Sequence, residues 1–536
     1  MGKRFYITTP IYYVNDRPHI GHSYTTVAAD VLARYRRLAG GEVFFLTGTD
    51  EHGIKICKAA GERDLTPGEL ADQVVVHFQD LWKKLGIEYD DFIRTSQPRH
   101  RDRVQALVGR LVERGEIYPG RYDGWYDEEQ EEFVTENTAR ENEYQSPISG
   151  RPLIRHAEES YFFRLRRWVP RLIEYIESHP DFIMPVSRRN EVLSKLRLGV
   201  EDLSISRQAA RLMNWGVPMP NDPRCSVYVW IDALSNYITA LGYPPREGEP
   251  APLYDACWPA DLHLIGKDIL WFHAVYWPCL LLALELPLPV TIFAHGWWTN
   301  RGRKMSKSLG NFISCEEVGA ICDAFSADYY RYFLLRAVKF GDDGNFSGEK
   351  LLAIYNAELA NGVGNLLSRT VKMIEKYRGG AVDPPPFPGS GEEGEVIEAA
   401  RRLISHAGGW MDRLDCQSYL DGIVGLEAAT NRYIEKTRPY QLAVGPPGRK
   451  DLSRILGTCA EAVRIILLYL QPVMPEKAAL GLRMLGVDPA GEDRDRLPAE
   501  WGGYVWEKPA RKGEPLFPKK KEIPVFLSGR NNTSAP

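Results

Sequence analysis

The chain has no two cysteines close enough to pair as CxxC, and its eight cysteines are scattered over 536 residues, which excludes a disulfide framework and suits a reducing, cytoplasmic setting. It has no long hydrophobic run. The most apolar stretch, 274–294, is broken by Pro278, Glu285, Pro287 and Pro289, so a membrane helix is excluded there. No basic segment followed by an apolar run opens the sequence, and no secretory signal is expected. An excess of either charge is also lacking. A formal net charge of −4 excludes wholesale electrostatic coating by nucleic acid, while leaving room for a local basic face such as Lys508, Arg511, Lys512, Lys519, Lys520 and Lys521.

What the chain does have is length, enough for two to four domains. Strand-like and helix-like segments alternate up to about residue 115 and resume at Val227-Tyr228-Val229-Trp230, Leu262-His263-Leu264-Ile265 and Val290-Thr291-Ile292-Phe293, the pattern of a parallel α/β sheet. Residues 116–226 differ: segments are short, glutamates frequent, and turns fall at Gly120, Gly124, Pro147, Gly150 and Pro152. They read as an insertion between two halves of one sheet. From Ser347 apolar residues recur at helical spacing in 351–377, 396–414, 419–434 and 452–470, with a Pro-rich loop at 384–388.

Two short motifs carry chemistry. His19-Ile20-Gly21-His22 follows a strand-like run and opens a helix-like one, so two imidazoles and a helix N-terminus, with a glycine that admits close approach, would meet an anion. Lys304-Met305-Ser306-Lys307-Ser308 sets two lysines and two hydroxyls on a polar stretch between Gly302 and Gly310, suited to gripping phosphates. Together, in this order, the two resemble the HIGH and KMSKS motifs of class I aminoacyl-tRNA synthetases. The flanking text, Thr9 to Asn15, Gly48-Thr49-Asp50-Glu51-His52-Gly53, Tyr228 to Ala233 and His263 to Asp268, resembles the methionyl-tRNA synthetase family, and the likeness runs from about Arg4 to Phe517.

That resemblance implies a Rossmann-like catalytic domain in two halves, 1–115 and 227–299, around a connective-peptide insertion, 116–226. It also implies a KMSKS loop and linking segment, 300–346, then an α-helical anticodon-binding domain, 347–518. A tail, 519–536, is expected to be disordered. The activity implied is ligation of methionine to tRNA(Met) through an adenylate, with ATP and Mg²⁺ as cofactors. His19 and His22 would serve the α-phosphate region and Lys304 and Lys307 the leaving phosphates. Gly21, Gly266, Lys267, Asp268, His295, Gly296, Met305, Ser306 and Ser308 would border the nucleotide. Asp50 would take the ammonium of methionine, and Pro10, Ile11, Tyr13, Trp230, Ala233, Leu234, Tyr237, Ile269, His273 and Trp277 its side chain, an aromatic lining that suits a polarisable thioether. Asn365, Arg369 and Tyr440 (where many relatives carry Trp) would read the anticodon.

One departure concerns a metal. Many relatives have a zinc knuckle in the insertion, but the four ligand positions here are Asp127, Gln130, Ser146 and Ser149, and no structural zinc is expected. The rival readings are another class I synthetase, opposed by the short insertion, a silent tRNA-binding relative, opposed by two intact phosphate motifs, and a nucleotidyltransferase that uses no tRNA, opposed by the long helical C-terminal region. The eighteen residues after Pro518 are too few and too polar for another core, so a monomer is expected.

Overall fold

The computed structural model describes residues 3–528 except 129–131, 135, 148, 246–247, 301–302, 306–311, 386–390, 443–447, 489–496 and 499. The chain forms two compact units. The first comprises residues 1–18, 43–81 and 88–295; the second comprises 19–42, 82–87 and 296–536.

The first unit is built on a parallel sheet of β1 (Phe5–Tyr13), β2 (Val43–Asp50), β3 (Asp91–Arg94), β4 (Ile183–Met184), β5 (Leu262–Gly266) and β6 (Thr291–His295). Their spatial order is β3-β2-β1-β5-β6-β4. Strands such as Phe44-Phe45-Leu46 and Leu262-His263-Leu264-Ile265 are covered on both faces, so they read as mostly apolar runs, with the polar His263 buried too, rather than as alternations. Gly48 is required by close packing: a Cβ there would lie 2.0 Å from the Ile93 carbonyl oxygen of the neighbouring strand. Strand order reverses between β1 and β5, and ligands of such sheets bind beyond the carboxyl ends of the strands at that reversal.

The segment expected as an insertion forms a four-stranded sheet around the hairpin Ile117–Asp127 and Ile154–Phe163, and a three-stranded sheet of Pro218–Met219, Asp222–Val227 and Ser206–Gln208. It also contributes β4, one of the two edge strands of the main sheet. Two residues of strand are too short for a periodic signal in sequence.

The second unit contains α1 (Ile20–Leu38), α2 (Ala327–Arg336), α3 (Gly364–Arg378), α4 (Gly394–Asp412), α5 (Cys416–Thr437) and α6 (Gly448–Leu470). The last four follow the apolar periodicity closely, with cores such as Leu366, Leu367, Leu403, Ile423 and Ile466 buried. The periodicity of 351–377 predicts one helix, but the chain runs Gly348–Ile354, a π-helical Tyr355–Val363 with non-helical Gly362, then α3. Part of the segment expected to be disordered has defined partners: Asn356 Nδ2 donates to the Lys520 carbonyl at 2.8 Å, and Leu527 is buried. The remainder, 529–536, lies outside the described residues. Among the described residues no helix is long and apolar enough to cross a membrane.

Candidate active site

In the first unit, the carboxyl ends of β1, β2, β5 and β6 present Tyr13, Asp50, Gly266 and His295. Tyr13 and Asp50 are register partners, and Val14 N–H closes onto the Asp50 carbonyl at 3.3 Å. Gly266 pairs in register with His295, and a Cβ on it would meet Asp268 Oδ1 at 2.5 Å and His295 Cε1 at 3.9 Å. Gly266, Asp268 and His295 are therefore brought together, with Lys267 half-buried beside them.

The residues expected around a methionine side chain also cluster. Trp230, Ala233 and Leu234 lie on the helical turn Val229–Leu234, and Tyr237 on the next, Asn236–Thr239. The other wall passes through Ile269, a π-helical Phe272–Tyr276 carrying His273, and Trp277 at the start of a helix. Tyr237 donates its hydroxyl to His273 Nε2 at 2.7 Å, while His273 Nδ1–H donates to the Ile269 carbonyl at 3.0 Å. Burial pushes the His273 pKa down to about 4, against a smaller upward pull from the Ile269 carbonyl, so the ring is neutral. Trp277 Nε1–H donates to His263 Nε2 at 3.2 Å, and His263, also held neutral by burial and by His273, contacts Thr8 Oγ1 at 2.7 Å. Leu234, Tyr237, His273 and Trp277 are buried, and Pro10 and Ala233 with them. Ile11, Tyr13, Trp230 and Ile269 are half-buried, so the apolar wall keeps an accessible side. Two contributors escaped sequence reasoning. Phe272 stacks on Trp230 with ring centroids 3.7 Å apart and planes 4° from parallel, and His263 tethers Trp277. The aromatic density of 271–277 was the available signal.

Asp50 sits in a rigid frame. Glu51, fully buried, takes hydrogen bonds from Thr49 Oγ1 at 2.7 Å, Arg94 Nε at 2.6 Å and Ser96 Oγ at 2.5 Å. His52 N–H reaches Asp50 Oδ1 at 3.4 Å, and its Nδ1–H donates to Asp232 Oδ2 at 2.6 Å. His100 Nε2–H donates to Asp232 Oδ1 at 2.8 Å. Burial alone would raise the Asp232 carboxyl; interaction with His52 and the hydrogen bonds from both histidines outweigh it and hold the group well below the usual carboxylate range.

In the second unit, His19 is the N-cap of α1, and the glycine between the histidines has a reason: a Cβ on Gly21 would come 2.9 Å from His19 Cε1. Gly21 N–H donates to His19 Nδ1 at 3.0 Å and His19 N–H to His22 Nδ1 at 3.2 Å, and the two rings stack at 3.8 Å. With both Nδ1 atoms accepting, each neutral ring carries its hydrogen on Nε2. Burial, reinforced by His19, pushes the His22 pKa well below that of a free histidine. The segment leaving the lysine motif returns to this N-terminus: Ile20 N–H donates to the Ile313 carbonyl at 3.1 Å, and the Phe312 ring meets His19 edge-on at 5.2 Å. Lys304 pairs through its backbone with Thr299, and Met305 is half-buried. Ser306, Lys307 and Ser308 lie outside the described residues. Gly296 admits a close approach, since a Cβ there would lie 2.4 Å from the Asp342 carbonyl.

The expected anticodon residues lie in the same unit. Asn365, exposed, precedes half-buried Arg369 by one turn of α3; Tyr440, 50% exposed, stands on the short helix Pro439–Leu442. Both elements pack against α6.

At the knuckle positions Asp127 accepts hydrogen bonds from Ser146 Oγ and, at 3.0 Å, from Ser149 Oγ, while Ser149 N–H donates to Ser146 Oγ at 3.0 Å. Hydroxyls turned onto a carboxylate do not offer the thiolate or imidazole donors of a structural zinc site. Gln130 lies outside the described residues.

The family model described as tRNA synthetases class I (M) matches residues 5–371. The chain is similar to the methionine–tRNA ligase of Caldanaerobacter subterraneus subsp. tengcongensis, 46% identical over 97% of this chain and 79% of the relative. It is similar also to that of Rickettsia felis, 44% identical over 91% of this chain and 93% of the relative. Among solved structures it resembles the Mycobacterium tuberculosis methionyl-tRNA synthetase in complex with methionyl-adenylate, with TM-score 0.88, 37% identity, and 96% of this chain and 100% of that one covered. With this likeness spanning almost its whole length, the chain belongs to the methionine–tRNA ligases, a family of class I tRNA synthetases.

Proposed function

We propose that this chain performs its family's ligation in two steps, with the residue roles set out below. In the first, a carboxylate oxygen of methionine attacks the α-phosphorus of ATP, the bond to the bridging oxygen breaks, and pyrophosphate leaves. In the second, a hydroxyl at the 3′ end of tRNA(Met) attacks the activated carbonyl and AMP leaves. Neither step needs a covalent enzyme intermediate, so catalysis rests on orientation and on donors aimed at developing charge. Asp50 takes the ammonium of methionine. Pro10, Ile11, Tyr13, Trp230, Ala233, Leu234, Tyr237, Ile269, His273 and Trp277 take its side chain. His19 and His22 donate from Nε2 to the α-phosphate region, and Lys304 and Lys307 neutralise the leaving phosphates. Gly21, Gly266, Lys267, Asp268, His295, Gly296, Met305, Ser306 and Ser308 border the nucleotide, which enters as its Mg²⁺ complex. The observation that carries this reading is the placement of Tyr13, Asp50, Gly266 and His295 at strand ends beside the reversal of strand order.

Asn365, Arg369 and Tyr440 form the anticodon contact, supported by an exposed ring and an exposed amide on elements that share α6 as a platform. The protein works in the cytoplasm, a setting that suits eight cysteines held outside any disulfide. It needs no structural zinc, and it acts as a monomer. Lys307→Ala tests the central assignment. Adenylate formation should slow by ~10²–10³ while methionine binding holds, and wild-type exchange kinetics would remove this loop from the phosphate chemistry.

A further inference from the structure

Asp232, His52 and His100 are buried to within 2% of complete exclusion and form one hydrogen-bonded chain, yet no step of the reaction uses them. Their positions give the chain a purpose. Asp232 lies on the turn Val229–Leu234, between Trp230 and Ala233 of the side-chain wall. His52 follows Asp50 by two residues, donates its backbone N–H toward Asp50 Oδ1 at 3.4 Å and its ring Nδ1–H to Asp232 Oδ2 at 2.6 Å. His100, on the helix Pro98–Glu113, donates Nε2–H to Asp232 Oδ1 at 2.8 Å. A carboxylate only accepts, so Nε2 is the nitrogen that donates, and the other ring nitrogen, Nδ1, lies 2.7 Å from the Thr239 hydroxyl. Thr239 belongs to the following turn, Asn236–Thr239, which carries Tyr237. One imidazole thus ties together both turns of the wall, and one carboxylate ties that wall to the residue that orients Asp50. The far side of the Asp50 segment is fixed as well, by Arg94, Ser96 and Thr95 on Glu51.

We infer that His100 and Asp232 are positioning residues that set the distance between the ammonium-binding carboxylate of Asp50 and the wall receiving the amino-acid side chain, and thereby select among unbranched amino acids by length. The inference rests on the assignment of Asp50 and the aromatic wall to methionine. An amino acid gripped at its ammonium reaches the wall only if its chain has the right number of atoms. Discrimination by a single methylene is limited to about 10–200-fold even in a rigid pocket, so small movements of either anchor should erode it. A misplacement of 1 Å in an oriented site costs as much as ~10²-fold.

The test is ATP–pyrophosphate exchange with methionine and with ethionine, its homologue one methylene longer, on the full chain. His100→Leu should raise the KM for methionine about tenfold, leave the KM for ATP within about twofold, and lower the methionine-over-ethionine ratio of kcat/KM at least about threefold. His100→Gln, which restores a donor to Asp232, should return all three values to within about threefold of wild type. Thr239→Val, nearly isosteric, should move them in the direction of His100→Leu by a smaller amount, and it decides the matter if His100→Leu does not fold. An unchanged methionine KM and ratio in folded variants, or a rise shared equally by both KM values, would overturn the inference. Asp50→Asn separates this from the underlying assignment. If it too leaves the methionine KM unchanged, the pocket itself is misassigned; if it raises that KM while the His100 and Thr239 variants do not, only the positioning role fails.

Discussion

Arg331 offers the sharpest stability prediction. Its side chain on α2 is completely buried; Nε donates to the Val473 carbonyl at 2.9 Å, Nη1 to Leu85 at 3.2 Å and Nη2 to Pro472 at 2.9 Å, and Nη2 also pairs with Asp30 of α1 at 2.6 Å. Arg331→Met keeps most of the packing volume but strips three carbonyls of this donor. Asp30 retains Arg34, whose Nε lies 2.7 Å away, so it is not left as an unpaired buried charge. At the low end of the cost of an unsatisfied buried group, three carbonyls amount to about 3 kcal/mol. For a unit of this size, each kcal/mol lowers the melting midpoint by roughly 2 °C, so a fall of about 6 °C is expected. Arg36, paired with Asp412 at 2.5 Å on a half-exposed surface, supplies the contrast: Arg36→Met should cost under about 1 kcal/mol. Thermal unfolding followed by circular dichroism measures both. A midpoint for Arg331→Met within 2 °C of wild type, or equal losses for the two variants, would refute the reasoning.

Gly48→Ala forces a Cβ against the Ile93 backbone oxygen and should lower the melting midpoint by more than 5 °C or abolish soluble expression; a variant melting like wild type would mean β2 and β3 are not this close. His273 is ordinarily protonated below about pH 6.5 when unfolded but, folded, only below about pH 4, so the unfolded state binds the extra proton and stability should fall as pH drops through that window, by up to about 3 kcal/mol. Urea titrations at pH 7 and 4.5 should show a smaller difference for His273→Asn than for wild type, and an equal one would count against a neutral buried ring. Metal analysis of protein purified without chelator should find well under one zinc per chain, with no effect of chelator on melting; stoichiometric zinc would mean donors other than Asp127, Gln130, Ser146 and Ser149.

Much of the fold was legible because long elements carry long patterns. The helices α3 to α6 announce themselves by period, and the parallel strands by apolar runs. What the pattern missed was set by tertiary contact. The two-residue strand Ile183–Met184 exists only because β6 offers it a partner, and the π-helical turns at Phe272–Tyr276 and Tyr355–Val363 obey packing rather than local preference. At the site, His19 and His22 are chemically conspicuous in sequence, as are Asp50 and the aromatic wall. The buried links between Asp50 and that wall are not. His100 lies in an ordinary amphipathic helix and Asp232 in an apolar turn, so only their three-dimensional partners set them apart from other polar residues.

The most direct measurement of the central claim is ATP–pyrophosphate exchange run separately with each of the twenty amino acids. Methionine should support exchange, and the other nineteen should fall at least about tenfold below it in kcat/KM, the least that a pocket shaped to one side chain provides. Exchange driven better by another amino acid, or by none, would contradict the account.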